Sequence, residues 1–414
     1  MAGARLVART RRLVLALAAS SLAACTAGSA GGTGSAVTST GIPSTDQGEA
    51  PSWVVTVGDS YISGEGARWA GNTSGRARAV DVLGPDAYFD QSDREREPGC
   101  HRAIESIATV DLPAVLGKNL SCSGATTRSS GGVDERFKPG LDFFRDREDN
   151  VGQALALERF ARTHDVGHVV VSIGGNDFGF GPITSRCAIG FLGLTAGRSP
   201  CSDDPDVTSA FGPAKARAVT RDISGALARI TSAMRGAGYA DSDYTMVVLT
   251  YPSPLPDSSR MRYARDQART QAGGCPFFDA DLDFANDTAI TTINASVTKA
   301  AASVRGPDVV SLDLSRALDG HRLCEVGADA FPASDVSSWH SRDAATRLEW
   351  VNRLYFTFAP WQVAESLHPN YWGMRAEQDC VRLVVLGAGV DRVRCVPTGL
   401  LADDGSPIMR LTPR

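Results

Sequence analysis

The stretch Trp53-Val-Val-Thr-Val57 runs directly into Gly58-Asp-Ser-Tyr-Ile-Ser-Gly-Glu-Gly-Ala67. The first five residues are short, apolar, rich in β-branched side chains and closed by Gly58, which reads as a buried strand. A serine placed where such a strand gives way to a glycine-flanked turn is exposed at the carboxyl edge of a sheet. Open α/β folds bind their ligands at that edge. Gly64 and Gly66 permit close backbone approach or unusual dihedrals just after it. Ser60 is therefore a candidate nucleophile. The plainer reading is a strand-to-turn connection with a capping serine, and these ten residues alone do not choose between the two.

Outward from this segment, strand-like runs recur at His168–Ile173, Thr245–Thr250, Val309–Leu312 and just before Cys122. Between and after them, Val151–Thr163, Ala214–Gly236, Ala289–Val304 and Met374–Leu386 carry apolar residues at helical spacing. Strands alternating with helices predict βαβ units and a mainly parallel sheet, an α/β fold. Trp339, Trp350, Trp361 and Trp372 recur every eleven residues, but Pro360 and Pro369 forbid one continuous helix through them. Three loops, Gly84–Cys100, Ile183–Cys201 and Leu255–Cys275, are long enough to cover a site. Each ends at a cysteine, so stapled they read as fixed walls rather than lids.

The amino terminus reads as an address. Arg5, Arg9, Arg11 and Arg12 precede the apolar run Leu13–Ala24, which is too short to span a bilayer comfortably. Leu22-Ala-Ala-Cys25 resembles the lipobox of bacterial lipoproteins, which implies lipidation at Cys25 and a mature chain that starts there. Arg11-Arg12 leaves a twin-arginine signal open. Residues 26–50 are rich in Gly, Ser, Thr and Ala and cannot form a core. They read as a flexible tether with a reach of roughly 25–30 Å. Residues 51–414 form the candidate catalytic domain, and no second stretch approaches membrane-span length. With 42 basic and 47 acidic residues and no basic block, nucleic acid is not an expected partner. Of nine cysteines, removing Cys25 leaves an even set: Cys100, Cys122, Cys187, Cys201, Cys275, Cys324, Cys380 and Cys395. In an exported chain these suggest four disulfides, sequential pairing being the simplest of about 105 arrangements. No Cys-x-x-Cys or His-rich spacing points to zinc, and no metal is expected.

Acyl transfer by a serine needs a base, donors for the developing oxyanion and something to orient the base. Three further stretches offer these. Ser121-Cys-Ser-Gly-Ala-Thr-Thr127 places Gly124 after the second strand, Ser172-Ile-Gly-Gly-Asn-Asp-Phe178 places Asn176 after the third, and Glu365-Ser-Leu-His-Pro-Asn370 brings His368 with Glu365 three residues earlier. The four blocks, in this order from residue 58 to residue 370, resemble the SGNH hydrolases of the GDSL lipase/esterase family. The disulfide-bearing secreted actinobacterial branch, with Gly-Asp-Ser-Tyr-x-Ser-Gly-Glu-Gly, is nearest. The resemblance implies a three-layer α/β/α sandwich with a five-stranded, mainly parallel sheet. It also implies Ser60 as nucleophile, His368 as general base, and an oxyanion hole of the Ser60 and Gly124 N–H groups with the Asn176 amide.

Two positions depart from the family pattern. Tyr61 stands where leucine is usual, as is common in this branch. Glu365 stands where the family has Asp; residues at this spacing can meet on a helical turn, so its side chain is a candidate orienter of His368. A backbone carbonyl near that position is the alternative the branch offers. Asp59 and Asp177 are expected to fix loops through backbone N–H groups rather than act as acids. His101 and His321 are expected to be structural hydrogen-bonders beside disulfides. Phe178, Phe180, Phe277 and Phe278 are candidates for an acyl pocket, with core packing the plainer role. The sequence thus predicts a cofactor-free, monomeric serine esterase outside the cytoplasm, lipid-anchored or secreted, acting on lipid, phospholipid or acylated-sugar esters. An acyltransferase or a non-catalytic surface binding lipoprotein are the alternatives.

Overall fold

The computed structural model describes residues 51–414 apart from 76, 90–96, 132–135, 195–196, 266, 356–359 and 388–390. The signal segment, Cys25 and the tether lie outside the described residues.

The main sheet runs, edge to edge, through Val115–Asn119, Ser52–Gly58, Val166–Ser172, Thr245–Leu249, Asp308–Asp313, Arg392–Leu401 and Pro407–Pro413. The first six are parallel, and the last is antiparallel to its neighbour. The five expected strands are present, but among the described residues the sheet has seven. The extra pair was hidden because Pro397 and Gly399 read as breakers. The ladder absorbs them with a register shift between Pro397 and Leu400.

Alternate strand residues point to opposite faces, and the cores divide accordingly. Val54, Val170 and Val247 enter one core. Val55, Val57, Val169, Val171 and Met246 enter the other, beneath the helices Gln153–Ala161, Pro213–Ala237 and Thr291–Ala301. The longest of these starts with Pro213 at its first turn, where the missing N–H costs nothing. It buries Val219, Ile223, Leu227, Ile230 and Met234 along one stripe and stops at Gly238, φ 102°. Each large side chain in that stripe contributes about 1.5–3 kcal/mol on burial. A π-helical turn, Ala285–Ile290, precedes Thr291–Ala301 and explains why that α-helix starts later than its apolar pattern suggested.

The opposite face carries the helix Tyr371–Val385 and long loops. Cys380–Cys395 fastens this helix to the sixth strand, and the Met409 N–H donates to Asp379 at 2.8 Å from the seventh. The other bridges are Cys100–Cys122, Cys187–Cys201 and Cys275–Cys324, so the pairing is sequential.

Inside the same helix Glu377 is buried, and its Oε1 has no hydrogen-bond partner among the described residues. Burial raises its pKa well above the usual carboxylate value, so the folded chain holds it neutral. That contribution to stability is complete below the unfolded pKa, about 4.3, and is lost as the pH rises towards the folded value. Glu377→Gln should therefore flatten the decline in unfolding free energy between pH 5 and pH 8, measured by urea denaturation. An unchanged slope would show that Glu377 is not buried in the neutral form.

Candidate functional site

Gly58 ends its strand at φ 141°, where an added Cβ would lie 1.9 Å from the Ser172 carbonyl oxygen. Glycine is required there for the turn to start so close to the neighbouring strand. Asp59 then caps the short helix Ser60–Ser63, accepting the Tyr61 N–H at 3.1 Å. Ser60 opens that helix, so its N–H is a first-turn donor without an intrahelical acceptor. The side chain meets His368 across 308 positions of sequence, with Ser60 Oγ 2.7 Å from His368 Nε2.

His368 Nδ1 lies 3.1 Å from the Ser366 carbonyl oxygen. A carbonyl only accepts, so Nδ1 carries the proton and Nε2 is left to accept from Ser60. Tyr61 packs its ring 4.9 Å from the imidazole and donates its hydroxyl to the Leu367 carbonyl at 3.0 Å. Asn352 holds the same segment: its N–H donates to the His368 carbonyl and its amide to the Gly66 carbonyl, both at 3.0 Å. Two residues on, Asn370 caps the Tyr371–Val385 helix through the N–H groups of Trp372 and Gly373. Desolvation pulls the His368 pKa below the ordinary histidine value, against the opposing pull of Glu65 and of the Ser366 and Ala364 carbonyls.

Asn176 begins a short turn beyond Ser172 and lines the same pocket as Ser60 and His368. One amide hydrogen goes to the Ala125 carbonyl at 2.9 Å, leaving the second uncommitted by that bond. Gly124, φ 80° and exposed, sits in the adjoining loop. That loop is pinned by Cys100–Cys122, by the Cys122 N–H to the Gly58 carbonyl at 3.0 Å and by the Ser123 N–H to the Cys100 carbonyl at 2.9 Å. Asp177 accepts the Thr127 N–H at 3.1 Å and the Thr127 hydroxyl at 2.7 Å. Asp59 takes the Tyr251 hydroxyl, which in turn accepts the Gly175 N–H at 3.0 Å. Both aspartates thus tie loops together, and burial pushes Asp59 up to about 7.

Of the two candidates for orienting His368, Glu365 is not the one at the imidazole Nδ1. Its fully buried carboxyl accepts Trp69 Nε1–H and the Tyr88 hydroxyl, each at 2.8 Å, while the Ser366 carbonyl takes the Nδ1 position. Burial, reinforced by the Glu65 charge, raises it to about 7. The physical reason is local: Leu367 sits at φ 60°, so the chain between Glu365 and His368 does not make the regular turn that brings such a pair together. His321 donates to the Leu348 carbonyl at 2.9 Å and stacks on Trp350. His101 bonds Glu65, a residue the sequence reading passed over although it lies inside the deciding stretch. Tyr251 was also missed; its one signal is a polar aromatic just past the Thr245–Leu249 strand.

The pocket at Ser60 has a volume of about 220 Å³ and apolar walls from Phe180, Ile290, Ile293, Leu354, Val363 and Leu367. Of the other candidate phenylalanines, Phe277 lines an adjacent small cavity, Phe178 stacks on Phe211, and Phe278 packs against Phe191. A serine hydroxyl, an imidazole and an amide side chain thus face one partly apolar pocket.

No family model matches the chain, and no curated protein does. Among solved structures, it is similar to the extracellular lipase from Streptomyces rimosus, at 20% identity and TM-score 0.43, covering 81% of this chain and 99% of that one. It is also similar to a lipase from a goat rumen metagenome, at 14% identity and TM-score 0.36, covering 81% and 98%. Likeness of this degree fixes neither the fold nor the activity, which rest on the chain's own residues.

Gly66 supplies a test of how tightly the serine and histidine segments meet. At φ 86°, an added Cβ would lie 2.4 Å from Asn352 Nδ2, 3.0 Å from the Pro369 carbonyl oxygen and 3.2 Å from His368 Cβ. Gly66→Ala should cost at least about 1–3 kcal/mol through the backbone strain alone, read as a lower urea midpoint. Wild-type stability would mean the two segments are not in contact.

Proposed function

We propose that the chain is a serine hydrolase of carboxylic esters working through a Ser60–His368 dyad. The observation that carries this reading is the 2.7 Å contact between Ser60 Oγ and His368 Nε2 at the edge of a partly apolar pocket. Ser60 attacks the ester carbonyl while His368 takes its proton. The resulting oxyanion is met by the N–H groups of Ser60 and Gly124 and the Asn176 amide. His368 then returns the proton to the leaving alcohol, an acyl-enzyme remains, and water activated by the same histidine releases the acid. The Ser366 carbonyl, rather than a carboxylate, holds the imidazole in the required tautomer. The apolar walls suit an ester with an apolar acyl group. The amino-terminal arginines, the short apolar run and Cys25 support export and a lipid anchor.

Ser60→Ala and His368→Ala should each abolish most hydrolysis of p-nitrophenyl esters across acyl lengths. Ser60→Ala activity within about tenfold of wild type, some 1.4 kcal/mol, would remove the nucleophile assignment. Asn176→Ala should lower kcat by about 10²–10³ with KM little changed; a change confined to KM would make Asn176 a substrate-binding group instead. Because the His368 pKa is lowered, its neutral form persists into more acid solution. The acid limb of kcat/KM should therefore fall below the ordinary histidine midpoint of about 6.5, and a limb above that value would contradict His368 as the free base.

A further inference from the structure

Three cavities meet at one side chain. Beside the pocket at Ser60, a small cavity of about 40 Å³ lies among Phe211, Phe277, Phe284, Ala285 and Ala289. A larger one of about 710 Å³ lies among Arg260, Arg316, Asp319, Arg322, Glu325 and Arg414. Ile290, only 6% exposed, lines all three. Phe180, Thr184 and Leu367 are also common to the Ser60 pocket and the small cavity, so these two share a wall. Ile290 ends the π-helical turn Ala285–Ile290, a form that is rare in proteins and frequent at functional sites.

The two neighbouring cavities differ in what they can hold. The larger is polar: Arg260 pairs with Glu325 at 2.7 Å, and Arg322 with Asp319. An apolar chain laid there would strip water from charged groups and offer no hydrogen bond in return. The small cavity is walled by aromatic rings and alanines, and the polar groups on its wall have partners of their own. Ser253 donates its hydroxyl to Asn286 Oδ1 at 2.6 Å, and Asp281 accepts the Ser202 N–H at 3.0 Å. Protein interiors normally pack without such gaps, and water does not fill an apolar one. Beside a nucleophile, the gap is room for an apolar group.

The shared wall is fixed with respect to the nucleophile. Asn294, one turn past Ile290, accepts the Tyr251 N–H and donates to the Tyr251 carbonyl, both at 2.8 Å. The Tyr251 hydroxyl bonds Asp59, which caps the helix that Ser60 opens. The far end is closed by Phe284 against Phe211, ring centroids 5.8 Å apart, and by Phe211 stacked on Phe178. Resting on the Ser60–His368 reading, we propose that the acyl chain of the ester passes Ile290 into the small cavity, and that Ile290 and Ala289 fix the chain length the site accepts. The substrates are then esters of straight apolar acids longer than acetate, with a definite upper limit set by a rigid end wall.

The test is kcat/KM for p-nitrophenyl esters from acetyl to dodecanoyl, kept below their micelle concentrations, in wild type, Ala289→Leu and Ile290→Ala. Each value is taken as a ratio to that variant's own acetyl ester. In wild type the ratio should climb by up to about fourfold per added methylene, the equivalent of about 0.8 kcal/mol for each CH₂ buried. It should then fall once the cavity is full. Ala289→Leu fills the cavity and should move the maximum to shorter chains. At the wild-type optimum its ratio should drop at least about tenfold, the loss of two buried methylenes. Ile290→Ala widens the passage and should move the maximum to longer chains. A merely structural role would slow all esters together and leave the ratios unchanged; that result, or a wild type with no length optimum, overturns the proposal. Should Ala289→Leu not fold, Ile290→Ala decides it: a maximum at longer chains supports the placement, and an unmoved one overturns it. A wild-type protein that hydrolyses no ester of any length and takes up no serine-directed phosphonate at Ser60 would instead defeat the hydrolase reading itself.

Discussion

A buried carboxyl group holds the two halves of the site together. Glu365 has no exposure to solvent, and both of its hydrogen-bond donors, Trp69 and Tyr88, come from the segment that follows the nucleophile. Removing a partner from a buried polar group costs about 1–3 kcal/mol, so the late loop is bound to the early one wherever this cluster survives. The contact between Gly66 and the His368 segment, and the bond from Asn352 to the Gly66 carbonyl, extend the same seam. Together with the Tyr61 hydroxyl on the Leu367 carbonyl, it brings residues separated by most of the chain to hydrogen-bond distance.

The imidazole is held without a carboxylate at Nδ1. Orientation of the imidazole comes from a main-chain carbonyl, whose position depends on the left-handed Leu367 and on Tyr61 gripping its carbonyl. A carbonyl offers only a partial charge, but it does not titrate, so the tautomer it selects is insensitive to pH. The carboxyl that occupies the expected place has been drawn into scaffolding instead.

Much of the fold was legible in the sequence. The five apolar strand runs and the long helices announce themselves by period and by β-branching, and Ser60 by its place at a strand end. The sequential disulfides were the simplest pairing available. The final two strands were not legible, because Pro397 and Gly399 break the pattern that a ladder with a register shift tolerates. Between Glu365 and a backbone carbonyl the sequence could not choose, because spacing alone assumes a regular turn, and one residue in left-handed conformation redirects the chain. Glu65 and Tyr251 were overlooked for a different reason: their significance lies in partners from distant loops, His101 and Asp59. Sequence proximity carries no trace of such pairings.

The terminal strand has a bearing on how these molecules behave when crowded. An open sheet edge offers unpaired N–H and C=O groups that can recruit another chain. One of the two edges here is Pro407–Pro413, the seventh strand. Proline at both of its ends removes donors from any incoming ladder, and Arg410, exposed along it, sets like charge against a second copy. The edge is thus a poor template. Two copies that met along this strand would not be drawn into a shared sheet through it.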